Sequence, residues 1–202
     1  MVYGFFQFYV KIYVIIDKGE STMKLVGISG SLAGWKTYNV IEEVLSAAKK
    51  IDPTIETELI DLKDYEIELV NGSPLSFYNK DTWNVVQKIV NADLLVFGSP
   101  IYQASITGSL KNLLDHLPIN GLKSKVTGIV TLAGSEKHFL VGEYQLRPIL
   151  AYLKGIVPYS NVFVTNDAFD DESELVDKNI IERLHNLANE MIQLQQYIDK
   201  TD

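Results

Sequence analysis

Residues 93–117 read DLLVFGSPIYQASITGSLKNLLDHL. Leu94, Leu95, Val96 and Phe97 form an apolar run of the length of a buried strand. Gly98-Ser99-Pro100 is a breaker cluster, expected to end that strand. A loop of small and polar residues follows, with Tyr102 as its aromatic. From Gly108 onward, Leu110, Leu113, Leu114 and Leu117 recur at helical spacing. The order is strand, loop, helix. In an open parallel sheet, ligands collect beyond the carboxyl ends of the strands. A loop of roughly nine residues is longer than the 2–6 that connection alone requires. Its backbone N–H groups, small side chains and flat ring suit a planar ligand with polar edges. The alternative is a βα connection with no ligand.

The same alternation continues on both sides. Residues 24–28 read as a strand, 37–51 as a helix and 55–62 as a strand. Residues 63–80 read as a loop, with Asn71-Gly72 and Pro74 as turn signals. Residues 81–91 read as a helix with an acidic N-cap. Strand 94–97 and helix 108–117 come next, then strand 126–132, helix 142–154 and strand 156–165. Residues 173–200 form a long closing helix with Ser173 as its cap. Five strands alternating with helices predict an α/β three-layer sandwich around a parallel sheet. Right-handed crossovers leave few strand orders. The flavodoxin-like order 2-1-3-4-5 is expected, with its switch point between the first and third strands.

Residues 29–39 read SGSLAGWKTYN, between the first strand and the first helix. Small residues let the backbone curl, and a helix N-terminus gathers free N–H groups and positive dipole. Ser29, Ser31 and Thr37 add hydroxyls, and Lys36 adds a positive charge. By composition this is a phosphate cradle. Residues 30–37 nearly spell the nucleotide-triphosphate loop G-x-x-x-x-G-K-T. Trp35 stands where that motif needs glycine, and no apolar strand ends in an acidic magnesium ligand. A triphosphate-hydrolysing site is therefore not expected.

Composition narrows the function classes. The chain has 202 residues, enough for one domain, with 47% hydrophobic and 22% charged residues. A net charge of -8 argues against broad nucleic-acid binding. With no cysteine, disulfides, thiolate catalysis and cysteine-bound metals are excluded, and a cytoplasmic location is expected. Residues 1–22 differ from the rest in their aromatic and β-branched content. Lys11 leaves the apolar run too short for a membrane span, and no signal-peptide pattern is present. Lys18-Gly19-Glu20 can be encoded by a purine-rich stretch like a bacterial ribosome-binding site, two codons upstream of Met23. An added strand or hairpin and an interfacial anchor are the alternatives, but residues 1–22 are expected to be a non-native or dispensable extension of a domain spanning 23–202.

SGSLAGWKTYN, GSPIYQASITGSLKNLLDHLP and LAGSEKH together resemble the NAD(P)H-dependent FMN reductases of the flavodoxin-like proteins. The resemblance runs from about residue 23 to 169. KNLLDHLPINGLKSK and YQLRPILAYLKG are similar to the branch that supplies reduced FMN to two-component monooxygenases. The resemblance implies that Ser31, Lys36, Thr37, Tyr38 and Asn39 hold the flavin phosphate, with Ser29 nearby. Pro100, Ile101, Tyr102, Gln103, Ala104 and Ser105 would border the isoalloxazine ring. Ala133, Gly134 and Ser135 would approach its pyrimidine edge, and His138 would sit at the mouth. It also implies FMN and NAD(P)H as ligands and a flavin-dependent monooxygenase, quinone or azo compound as acceptor. A homodimer or homotetramer is expected, because helix 108–117 and segment 144–153 carry more leucine and aromatic residues than one sheet face needs.

Hydride transfer between stacked rings asks little of protein side chains beyond binding, orientation and exclusion of water. No catalytic side chain or metal site is therefore expected. His116 is expected to be structural, His185 to face solvent, and Lys137 is a candidate contact for a nicotinamide phosphate. The alternative function is a flavodoxin-like FMN electron carrier without nicotinamide oxidation. Lys36 and Lys137 near the expected rim favour the reductase.

Overall fold

The computed structural model describes residues 22–200. Apart from Thr22, the extension 1–22 lies outside the described residues. Five strands build the sheet: β1 (Lys24–Ser29), β2 (Glu56–Asp61), β3 (Leu94–Tyr102), β5 (Val126–Ala133) and β6 (Val162–Thr165). They are parallel in the order β2-β1-β3-β5-β6, and a short β4 (Ser105–Ile106) pairs antiparallel with the end of β3. Counting the five parallel strands alone, this is the expected 2-1-3-4-5 order.

The pleat divides the core. Leu25, Leu94 and Val96 face α1 (Lys36–Ile51) and α5 (Lys178–Asp199). Val26, Leu95 and Phe97 face α2 (Lys80–Val90), α3 (Gly108–Asp115) and α4 (Arg147–Tyr152). All four leucines of segment 108–117 are buried in this second layer. They are thus consumed by the chain's own core and leave no surplus for a partner. The aromatic residues around α4 differ, since Tyr144 and Tyr152 are exposed.

Several boundaries depart from the sequence reading. β3 runs through Gly98, Ser99 and Pro100 instead of stopping at Phe97, in register with Val130, Thr131 and Leu132 of β5. Proline is tolerated because β1 ends opposite Gly98, so β3 is an edge strand on that side beyond it. α2 is capped by Asn79, whose side chain accepts from the Thr82 N–H at 2.8 Å, and not by an acid. Asp81 lies in the first turn and instead accepts the Glu66 N–H. The helix expected over 142–154 is a π-helical turn, Gly142–Leu146, followed by α4. Pro148 cannot donate to residue 144, and its ring crowds that carbonyl, so the preceding turn widens.

The fifth parallel strand is shorter than expected; only an isolated bridge at Ile156 touches β5 before Val162. α5 starts at Lys178, because the Asp177 carboxylate accepts from the Asn179 and Ile180 N–H groups at 2.7 and 3.1 Å. Ser173 lies upstream, in a turn at φ 68°. At the outer edge, long hydrogen bonds run from the Arg183 guanidinium to the carbonyls of Phe163 and Asn161. Among the described residues, no helix is long and apolar enough to cross a membrane.

Candidate functional site

Three loops meet at the carboxyl ends of the central strands. The first joins β1 to α1. Gly30 anchors it: its N–H donates to the Gly98 carbonyl at 2.8 Å, and its own carbonyl accepts from the Thr107 and Ser109 hydroxyls at 2.7 and 2.8 Å. The loop is thereby fastened to β3 and to the start of α3. Ser31 folds the next turn by donating to the Ala33 carbonyl at 2.7 Å. α1 then begins without a capping side chain and without an acid in its first turn. α2, α3 and α5 are all capped, by Asn79, Thr107 and Asp177. The first N–H groups of a helix have no intrahelical partner and carry the positive end of its dipole. At α1 they open beside Ser31 and the buried Thr37.

The second loop is a hairpin. Tyr102 pairs with Ser105, so Gln103 and Ala104 form its two-residue turn, at φ 50° and 60°. Both residues adopt the left-handed conformation that a type I′ turn demands and that glycine or asparagine usually supplies. Gln145 of the π-helical turn props the hairpin: its side chain accepts from the Ser105 hydroxyl at 2.6 Å and donates to the Ala104 carbonyl at 2.8 Å. Such local strain persists where its surroundings over-determine it. Ala104→Gly is expected to raise stability by about 0.5–1 kcal/mol by relieving it. A chemical melt checks this, and an unchanged or lower midpoint would contradict strain at that position.

The third loop follows β5. Ser135 accepts from the Lys137 N–H at 3.4 Å and turns the chain into Glu136–His138. An added Cβ on Gly134 would lie 3.2 Å from the Asn166 amide nitrogen, so glycine keeps this wall low.

A cleft of about 310 Å³ lies between the three loops. Of the expected residues, Ser31, Lys36, Thr37, Pro100, Ile101, Tyr102, Ala133 and Gly134 line it. Ser29 is buried behind it, at the end of β1. Tyr38 turns its ring edge-on to Trp35, and Asn39 donates to the Ser173 carbonyl at 2.8 Å, so neither lines the cleft. Gln103, Ala104 and Ser105 shape the hairpin beside it without lining it. Ser135 stands just outside, and Lys137 and His138 border a separate groove with Tyr144 and Gln145.

Six further residues complete the cleft: Ala33, Gly34, Trp35, Leu132, Asn166 and Ser173. Asn166 follows directly on β6, so the strand-end rule would have pointed to it. Its Oδ1 accepts from Lys36 Nζ at 3.1 Å, and the same ammonium stands 5.1 Å from the Phe169 ring centroid. The Lys36 charge is thus held at the cleft wall.

The family model described as NADPH-dependent FMN reductase matches residues 23–170. The chain belongs to this family. It is 44% identical over 172 residues to an NAD(P)H-dependent FAD/FMN reductase of Geobacillus thermodenitrificans, covering 85% of this chain and 93% of that one. To an NADH-dependent FMN reductase of Pseudomonas putida it is 28% identical, covering 84% and 91%. Among solved structures, an NADH:FMN oxidoreductase in its apo form superposes with a TM-score of 0.71 at 27% identity, covering 87% of this chain and 90% of that one.

The histidines of this FMN reductase family member lie away from the cleft. His116 is buried, with Nε2 at 2.7 Å from the Glu68 carbonyl and its ring edge-on to Tyr78, a structural role as expected. His185, expected in solvent, is instead half-buried against Glu43 of α1 at 2.5 Å, because α5 packs directly on α1. Among the described residues, no cluster of three or more His, Cys, Asp or Glu could hold a metal ion.

Proposed function

We infer that this chain is an NAD(P)H-dependent FMN reductase whose flavin lies in the cleft between the first loop and the hairpin. The carrying observation is the start of α1, which has no capping side chain and no acid in its first turn and opens onto the cleft at Lys36 and Thr37. It suits a phosphate dianion. The residues present fit FMN: unpaired helix N–H groups, the Ser31 and Thr37 hydroxyls and the Lys36 charge for the phosphate, and an apolar wall for the ring. Tyr38 contributes through its N–H group, while Asn39 braces the Asp170–Ser173 turn and Ser29 supports the loop from beneath. Pro100, Ile101 and Tyr102 border the ring. Gln103, Ala104 and Ser105 hold that border in place, and Ala133, Gly134 and Ser135 approach the pyrimidine edge.

FMN held there would supply N5 as the acceptor for a hydride from the reduced nicotinamide. The chain's part is to hold the two rings together and dry. No side chain in the cleft needs to move a proton for this, which agrees with a wall made mainly of backbone and small residues. Rapid mixing of the FMN-loaded protein with NADPH and with NADH tests the reading. Flavin bleaching with matching loss of reduced nicotinamide is expected. Bound FMN that neither nucleotide reduces would instead support the electron-carrier alternative.

Reduced FMN is proposed to pass to a flavin-dependent monooxygenase, with quinones and azo compounds as further acceptors, in the cytoplasm. A homodimer or homotetramer through the exposed Tyr144 and Tyr152 face is also proposed. A monomer by light scattering would refute it. Residues 1–22 are proposed to be dispensable, since β1 already pairs along its length with β2. A chain beginning at Met23 is expected to match the full chain in melting temperature and FMN affinity. A substantial loss of either would make the segment part of the fold.

A further inference from the structure

Trp35 excluded a triphosphate loop in the sequence, yet neither the flavin phosphate nor the flavin ring calls for an indole there. Its surroundings are built. Asp61 ends β2 beside Ser29, with its side chain only 3% exposed. That carboxylate holds Lys63 Nζ at 2.8 Å, and the ammonium in turn stands 3.2 Å from the centroid of the Trp35 ring. Tyr38 packs edge-on to the same indole, with ring centroids 5.7 Å apart at 82°. Burying a carboxylate to aim one lysine is costly, and here the lysine is aimed at an aromatic face. Trp35 nonetheless remains 57% exposed and lines the cleft, which Lys63 does not. The indole is therefore braced by Lys63 and Tyr38 while part of it is left open on the cleft.

We propose that Trp35, braced by Lys63 and Asp61, is a stacking platform for the adenine of FAD. The proposal rests on the phosphate assignment made above for FMN. In FAD the adenosine phosphate is attached at the flavin phosphate, so it must leave the cleft past the first loop. The exposed residues of that loop are Leu32, Ala33, Gly34 and Trp35, and only Trp35 offers a π face. Gly34, at φ 71°, makes the left-handed turn that leads into it. Lys36 places a positive charge at the cleft wall beside Trp35, while the Lys63 charge is paired with Asp61 and serves the indole. Adenine occurs in reduced nicotinamide nucleotides too, and the attachment point favours FAD.

Calorimetric titration of the full chain with FMN and with FAD tests this, alongside the KM for NADPH measured with FMN as acceptor. In Trp35→Ala the ratio of the FAD Kd to the FMN Kd is expected to rise about tenfold, the usual cost of losing one base–aromatic stack. Trp35→Phe should restore most of the wild-type ratio. Lys63→Met should raise the ratio in the same direction by about threefold. A ratio that stays within about twofold in Trp35→Ala would overturn the platform, since the indole would then only shape the loop. A KM for NADPH that rises while the ratio holds would give the adenine to the nicotinamide nucleotide and overturn the FAD assignment. Failure of the wild-type chain to bind FMN would instead overturn the underlying phosphate reading.

Discussion

Gly30→Ala is expected to lower the unfolding free energy by about 2 kcal/mol and the melting temperature by roughly 6 °C. The added Cβ would lie 2.7 Å from the Gly98 carbonyl oxygen and 3.0 Å from Leu110 Cβ. The first contact is backbone and cannot swing away like a flexible side chain. Gly30 must then move off β3, which strains its N–H bond to Gly98 and the two hydroxyl bonds from Thr107 and Ser109. Those bonds fasten the phosphate loop to the hairpin side of the cleft. FMN affinity should therefore fall together with stability. Thermal melts and FMN titration check both, and a melting temperature within about 1 °C of wild type would mean that β1 and β3 separate freely at this point.

Thr37→Glu is expected to weaken FMN binding about 100-fold, by setting a carboxylate beside the phosphate at a helix N-terminus. Thr37 is only 4% exposed, so the new charge has little water to screen it. Riboflavin, which lacks the phosphate, separates this effect from general damage: its affinity should fall far less. Thr37→Val keeps the shape and removes only the hydroxyl, and a loss of about fivefold in FMN affinity is expected. Equal losses for FMN and riboflavin in Thr37→Glu would remove the phosphate from this loop.

Most of the parallel strands were legible as short apolar runs bounded by polar or breaker residues, while β2, ETELID, was legible from its alternating pattern. The two ligand loops were legible from where those runs end. The hairpin was not, because Gln103-Ala104 lacks the glycine or asparagine that marks a type I′ turn. Its prop, Gln145, lies 40 residues from Ser105 in a turn whose widening only Pro148 announces. The caps were misread by a few residues, since Asn79 and Asp81 are both plausible caps and only the backbone path separates them. Asn166 reaches the cleft because β6 closes the sheet beside β5, 130 residues from Lys36. Such pairings come from chain topology and leave no local pattern. Trp35 was visible from the start, but only as an obstacle to one motif; its lysine support appears once β2 lies beside β1.

The covered rim of β6 also limits how copies of this chain can meet. A stranger's strand approaching there would find the Asn161 and Phe163 carbonyls already taken by Arg183. On the opposite rim, β2 presents the exposed Glu56, while Glu58 is held by Lys24 and Lys88, so an identical β2 would bring a like carboxylate against Glu56. Among the described residues, neither border of the sheet is a free template for fibril growth by strand addition. Ordered self-association of the domain from Met23 onward is then left to its helical faces, and crowding a chain that begins at Met23 should yield discrete particles rather than threads.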